Sequence, residues 1–166
     1  MCIRDRYSVL TISDSAFSGT NKDLGGPLII DIMGSQNILI EHMLVADEID
    51  DIEQALKTLC EDSDNELILT TGGTGIGPRD VTPEATKNII DYEIPGISEL
   101  MRIKNYSKTD FVALSRAVAG VFNKKLIVNF PGSPKAVKEN LEVLLPLLPH
   151  SIDLIKGNTD HKEIKR

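Results

Sequence analysis

Four short runs rich in aliphatic and β-branched residues alternate with longer segments whose apolar positions recur every three or four residues. The runs are YSVLTIS (7–13), NILIEHMLVA (37–46), ELILTT (66–71) and KLIVNF (125–130), and their length and composition predict strands. GPLIIDIMGSQ follows the first run. IDDIEQALKTLCEDS follows the second and places Ile49, Ile52, Leu56 and Leu59 on one helical face. TPEATKNIIDY follows the third and SPKAVKENLEVLLPLL the fourth. Strands alternating with amphipathic helices predict an α/β fold: a single three-layer domain with a mostly parallel sheet covered by helices on both faces. Within 95–122, GISELMRIKNYS reads as a helix and FVALSRAVAGV as a short extra strand plus a loop. The domain is expected over 7–156. MCIRDR (1–6) shows neither strand alternation nor a helix cap, and 157–166 is polar, so both are expected to be disordered or non-native tails.

In an open α/β sheet ligands bind beyond the carboxyl ends of the strands. The loops at those ends are unusual here. The first strand runs into a small polar turn holding Ser13, Asp14, Ser15, Ser18 and Gly19, and the second presents Asp47 and Glu48. The third runs into TTGGTGIGPRDVTPEAT (70–86), with Gly72, Gly73, Gly75 and Gly77 in six residues, and the fourth into Pro131, Gly132, Ser133 and Pro134. A glycine-rich loop loses much entropy on ordering, and a bound anion is the first candidate for what rewards it. Thr82-Pro83 and Ser133-Pro134 each place a hydroxyl residue before proline, the signature of a helix start. Helix N-termini present free N–H groups and partial positive charge, so two of them at one edge could hold two phosphate groups.

Thr82 is expected to cap its helix, leaving the Asp80 carboxylate for the cleft. Asp47 lies at a neighbouring strand end. Two carboxylates beside phosphates require a cation between them, and Mg²⁺ held by one or two carboxylates plus phosphate oxygens meets that need. Arg79, Arg116 and Lys135 are candidate phosphate partners. Neither GxxxxGK[ST] nor GxGxxG occurs, which argues against a P-loop protein and against a hydride-transfer enzyme. His42, His150 and His161 show no metal spacing, and no histidine stands at the loop edge to activate a serine.

Composition narrows the class further. The 166 residues carry a net charge of -7, which argues against nucleic acid as a partner. Aromatic residues make up 4% with no tryptophan, so base-stacking platforms are scarce. No run is apolar enough to span a membrane. The cysteines, Cys2 and Cys60, are far apart, which fits a reducing, cytoplasmic setting.

LTISDSAFSG, VADE, LTTGGTGIGPRDVTPEAT, ALSRAVAG and NFPGSPKAVKENLEVLLPLLPH, in that order, resemble the MogA/MoaB family of molybdenum-cofactor biosynthesis proteins over about residues 7–156. The resemblance implies a compact, usually trimeric α/β fold that binds molybdopterin. It further implies molybdopterin adenylyltransferase activity: transfer of AMP from Mg-ATP to the terminal phosphate of molybdopterin, with pyrophosphate released before metal insertion by a downstream protein. The family's two central aspartates fall on Asp47 and Asp80, expected as catalytic and Mg²⁺-binding residues. Substrate contacts are expected from the first loop, from Thr71, Gly72, Gly73, Thr74, Gly75 and Arg79, from Ser115 and Arg116, and from Pro131 to Pro134. Ala46 departs from the pattern, since a proline commonly precedes the Asp-Glu pair. A MoaB-like paralogue that binds molybdopterin without catalysis is the alternative.

Overall fold

The computed structural model describes residues 5–158. Its elements are β1 (Arg6–Ile12), α1 (Asp14–Phe17), α2 (Gly25–Met33), β2 (Ile38–Val45), α3 (Ile49–Glu61), β3 (Leu67–Thr71), α4 (Thr82–Ile89) and β4 (Tyr92–Glu93), then α5 (Pro95–Asn105), a 3-10 turn (Asp110–Leu114), β5 (Ala119–Phe122), β6 (Lys125–Phe130), α6 (Pro134–Leu144) and α7 (Leu148–Ile155). The six strands form one sheet in the order β2-β1-β3-β6-β5-β4. β2, β1, β3 and β6 run parallel, whereas β5 is antiparallel to both β6 and β4. The mostly parallel sheet predicted from the alternation of elements is therefore present.

Alternation along the central strands builds two cores. Tyr7, Val9, Leu67, Leu69, Leu126, Val128 and Phe130 pack on one face against Ile29 of α2, Met101 of α5, Val137 and Leu141 of α6 and Ile152 of α7. Leu10, Ile12, Ile68 and Ile127 pack on the other face against Ile52, Leu56 and Leu59 of α3 and Ala85 and Ile89 of α4. Burying an aliphatic side chain contributes roughly 1.5–3 kcal/mol, so these two layers fix the sheet and the edge on which its loops lie.

The structure departs from the sequence reading in three places. β1 starts at Arg6, and the Asp5 side chain is buried, so the domain begins earlier than 7; residues 1–4 and 159–166 of the expected tails lie outside the described residues. β2 is an edge strand pairing with β1 alone, and it is half exposed rather than covered on both faces. The FVALSRAVAGV segment holds the 3-10 turn before its strand, and β5 turns back into β6 through Asn123 and Lys124, both at positive φ (48° and 60°), as a tight hairpin requires. Among the described residues no helix is long and apolar enough to cross a membrane.

Candidate active site

Because β1, β2, β3 and β6 are parallel, the segments after all four strands meet at one edge of the sheet. The β3–α4 loop is at their centre. Gly72 has φ +106°, and a Cβ there would sit 2.0 Å from the Ile12 carbonyl oxygen, so only glycine lets this loop cross the end of β1. Gly73 has φ +64°, and a Cβ there would meet Thr82 Oγ1 at 2.4 Å and Asp47 Oδ1 at 3.0 Å. Its missing side chain is what allows Asp47 to approach the loop.

Thr82 does not cap α4. Val81 holds the cap position, and the Thr82 hydroxyl donates instead to the Gly72 carbonyl at 2.8 Å. The helix begins one residue earlier than the Thr-Pro signature places it, so Thr82 stands inside α4 and its hydroxyl becomes a tether. Asp80 closes the same loop from within, its Oδ2 accepting from the Gly77 N–H at 2.8 Å. Ser133 does hold the cap position of α6, with Pro134 behind it as predicted, yet its hydroxyl makes no capping hydrogen bond. The Thr71 hydroxyl donates to the Pro131 carbonyl at 2.8 Å, which ties the β3 and β6 loops together.

Both arginines are engaged by protein groups. Arg116 donates from Nε to the Gly75 carbonyl (2.7 Å) and from Nη2 to the Asp80 carbonyl (2.6 Å), and Nη1 pairs with Glu84. Each of its three nitrogens bonds a protein oxygen, so it braces the glycine loop. Arg79 pairs with Asp14 and Glu48 and lines neither large cavity.

Two cavities open at this edge. The first, about 590 Å³, has an apolar wall of Met101, Phe111 and Leu114 and carries Lys135. The second, about 580 Å³, is more polar than the first and its lining includes Ser13, Ser15, Lys22, Asp23 and Asp47. They share Gly73, Asp80 and Gly132. Of the residues expected at the site, Thr74, Gly75, Ser115, Pro131 and Ser133 line the first cavity, Thr71, Gly72 and Pro134 the second. Ser18, Gly19 and Asp14 line neither; Ser18 instead bonds Thr20 on an exposed turn.

The first cavity also contains residues that sequence reasoning missed. Ser98 (2% exposed) and Asn105 (1%) lie one above the other on α5, and Ser98 Oγ and Asn105 Oδ1 are buried without a partner. A chain of amides fixes the orientation of Asn105. Asn140 Nδ2 donates to the Ala136 carbonyl, so its Oδ1 receives Asn105 Nδ2, and Asn105 Oδ1 is left over. Unpaired buried polar atoms cost about 1–3 kcal/mol each, and beside a cavity they mark where a ligand's polar edge belongs. The only sequence signal was two polar residues seven apart on a helix face that also carries Met101.

Asp47 and Asp80 both line the second cavity. Burial pushes the Asp47 carboxyl above its ordinary value, the Asp14 backbone N–H draws it down, and the charges of Asp14 and Asp80 push it up again. Among the described residues no group of three or more His, Cys, Asp or Glu could hold a metal. Two neighbouring carboxylates beside a polar cleft do fit Mg²⁺, which keeps waters and takes its remaining ligands from phosphate.

A doubly covered α/β sheet with two joined cavities at its carboxyl edge defines a small-ligand-binding protein of the open-sheet class. Residues 8–150 match the family model described as "Probable molybdopterin binding domain". The chain is 43% identical over 154 residues to the molybdopterin adenylyltransferase of Helicobacter pylori strain J99, covering 90% of this chain and 87% of that one. It is 41% identical over 140 residues to the enzyme of that name from Escherichia coli K12, covering 82% and 72%. The crystal structure of the molybdopterin biosynthesis enzyme MoaB from Thermus thermophilus superimposes with a TM-score of 0.87 at 44% identity, over 92% of this chain and 97% of that one. The chain belongs to the MogA/MoaB family of molybdenum cofactor biosynthesis proteins.

Proposed function

We propose that this protein is a molybdopterin adenylyltransferase, and the observation that carries the reading is the meeting of two ligand-sized cavities at Gly73, Asp80 and Gly132. Two substrates bound one in each cavity bring their phosphates together at that junction. An oxygen of the terminal phosphate of molybdopterin attacks the α-phosphorus of ATP, the bond from that phosphorus to the bridging oxygen breaks, and pyrophosphate leaves. The attacking group belongs to the substrate, so the chain needs no nucleophile of its own and its task is positioning and charge stabilisation.

The chain's own residues serve that task. Gly72 and Gly73 let the loop backbone approach a phosphate closely, and the N–H groups of Lys135 and Ala136, behind Pro134 at the start of α6, offer a second anion position. Asp47 and Asp80 would hold Mg²⁺, which when bound supplies positive charge to the phosphates. Lys135 and Lys22, lining the two cavities, are the cations that take the place of the two engaged arginines. Ser98 Oγ and Asn105 Oδ1 receive the hydrogen-bonding edge of a flat heteroaromatic ring, with Met101 and Phe111 against its faces. Ile103 and Tyr106 are exposed side chains on and after α5, and they support self-association as a homotrimer.

The test is incubation of the protein with molybdopterin, Mg²⁺ and α-labelled ATP. Label on the pterin with release of pyrophosphate is expected. Pterin binding without transfer of label would replace this reading with that of a binding paralogue.

A further inference from the structure

We infer that Arg79 and Asp14 are positioning residues that set the Asp47 carboxylate, an inference that rests on the proposed adenylyl transfer. Arg79 donates to Asp14 twice, from Nε to Oδ2 (2.9 Å) and from Nη2 to Oδ1 (3.1 Å), and Nη2 also reaches Glu48 Oε1 (2.7 Å). Asp14 Oδ1 in turn accepts from the Asp47 N–H at 3.0 Å, and Asp47 Oδ2 accepts from the Asp14 N–H at 2.8 Å. The result is a closed ring joining three loops whose members lie up to 65 residues apart.

The ring determines which oxygen of Asp47 is available. Oδ2 is engaged on the Asp14 backbone, while Oδ1 is the oxygen that a Cβ on Gly73 would meet at 3.0 Å. That oxygen faces the glycine loop, where the two cavities join. Arg79 acts from the far side: it lines a third, smaller hollow with Asp47 and Glu48 and is absent from the walls of both large cavities. A guanidinium suits this place because its planar fork spans two carboxylates at once, whereas an ammonium would hold them as a point charge.

The experiment is a double-mutant comparison of Arg79→Ala, Asp14→Ala and the pair, read in three ways. In the ligand-free protein, exchange of the Asp47 amide hydrogen should speed up in both single variants. In the transfer assay each single variant should lose roughly tenfold in kcat, with KM for ATP within about twofold and the double variant little worse than the slower single one. The Mg²⁺ concentration for half-maximal rate should rise several-fold, and Arg79→Lys should recover part of the loss. If an alanine variant does not fold, Arg79→Lys and Asp14→Asn, each keeping one hydrogen bond, carry the same comparison. The inference is overturned if Arg79→Ala raises KM for ATP while Asp14→Ala leaves or lowers it, because Arg79 would then be a phosphate ligand that Asp14 restrains. Unchanged amide exchange in both variants overturns it too. Wild-type protein that transfers no label refutes the functional reading alone, since amide exchange still decides whether Arg79 and Asp14 hold Asp47.

Discussion

Arg116 grips the backbone of Asp80 and leaves its carboxylate free: Nη2 donates to the Asp80 carbonyl at 2.6 Å while the carboxylate curls inward to the Gly77 N–H. The residue placed to bear negative charge in the cleft is thus held by its main chain from outside. Arg116→Ala removes charge-assisted hydrogen bonds to two carbonyls and should lower stability by about 2 kcal/mol. Thermal unfolding should then fall by roughly 4–8 °C, with transfer slowed at least tenfold because the loop loses its register.

Asp80→Asn separates the loop from the chemistry. An asparagine Oδ1 can still accept from the Gly77 N–H, so the melting temperature should stay within about 2 °C. The metal-binding charge is lost, and transfer should fall by roughly a hundredfold. A variant rate within a few-fold of wild type would remove Asp80 from the mechanism.

Three neighbouring glycines should respond differently to alanine. Gly72→Ala drives a methyl group into the Ile12 carbonyl at a φ that side chains rarely adopt, and should destabilise by at least about 3 kcal/mol. Gly73→Ala pushes on Thr82 and Asp47; about 2 kcal/mol of lost stability should accompany loss of nearly all transfer. Gly132→Ala meets only the Gly72 Cα, at 3.4 Å, and should melt like wild type. Thermal melts and transfer rates of the three variants rank these outcomes directly.

Ser98→Ala should move stability and binding in opposite directions. Removing an unpartnered buried hydroxyl should raise stability by about 1 kcal/mol. On the proposed reading the same change deletes a contact to the bound ring and should raise the corresponding KM by roughly fivefold. A stability gain with KM unchanged would leave the hydroxyl without a role in recognition.

Cys60 is buried on α3, and burial pushes its thiol up to about 12, outweighing the lowering by Lys125. The folded state therefore holds this proton more tightly than the unfolded chain does. Its contribution to stability is full below the ordinary thiol range and is lost as pH rises towards about 12. In a Cys2→Ser variant, which leaves Cys60 as the sole thiol, a disulfide reagent at neutral pH should react only at the rate of unfolding.

The sheet, its helices and the loops of the site were legible because each announces itself locally: strand composition, helical periodicity, and glycine or proline at a helix start. Asp47 and Asp80 reach the same cavity because each stands in a loop after a parallel strand, and those loops share one edge of the sheet. The placement of Thr82 failed by one residue, since the turn that precedes α4 depends on Asp80 folding back to Gly77. The roles of Arg79 and Arg116 were not legible at all. Their partners lie 31 to 65 and 32 to 41 residues away, and nothing in a local pattern says whether a guanidinium will meet phosphate or protein. Ser98 and Asn105 were hidden because the cavity that gives them meaning exists only once α5, the 3-10 turn and α6 are packed together.

The mutual anchoring of Asp14 and Asp47 also limits how this site can be remodelled. The segment after β1 forms the short α1 turn by itself, but its aspartate is aimed by an amide from the next strand's loop and by an arginine from the one after that. Exchanging one of these segments for that of a distant relative would break bonds on both sides. The unit that can be transplanted, or that can drift to a new substrate while keeping its activity, is the set of Asp14, Asp47, Glu48 and Arg79 moved together.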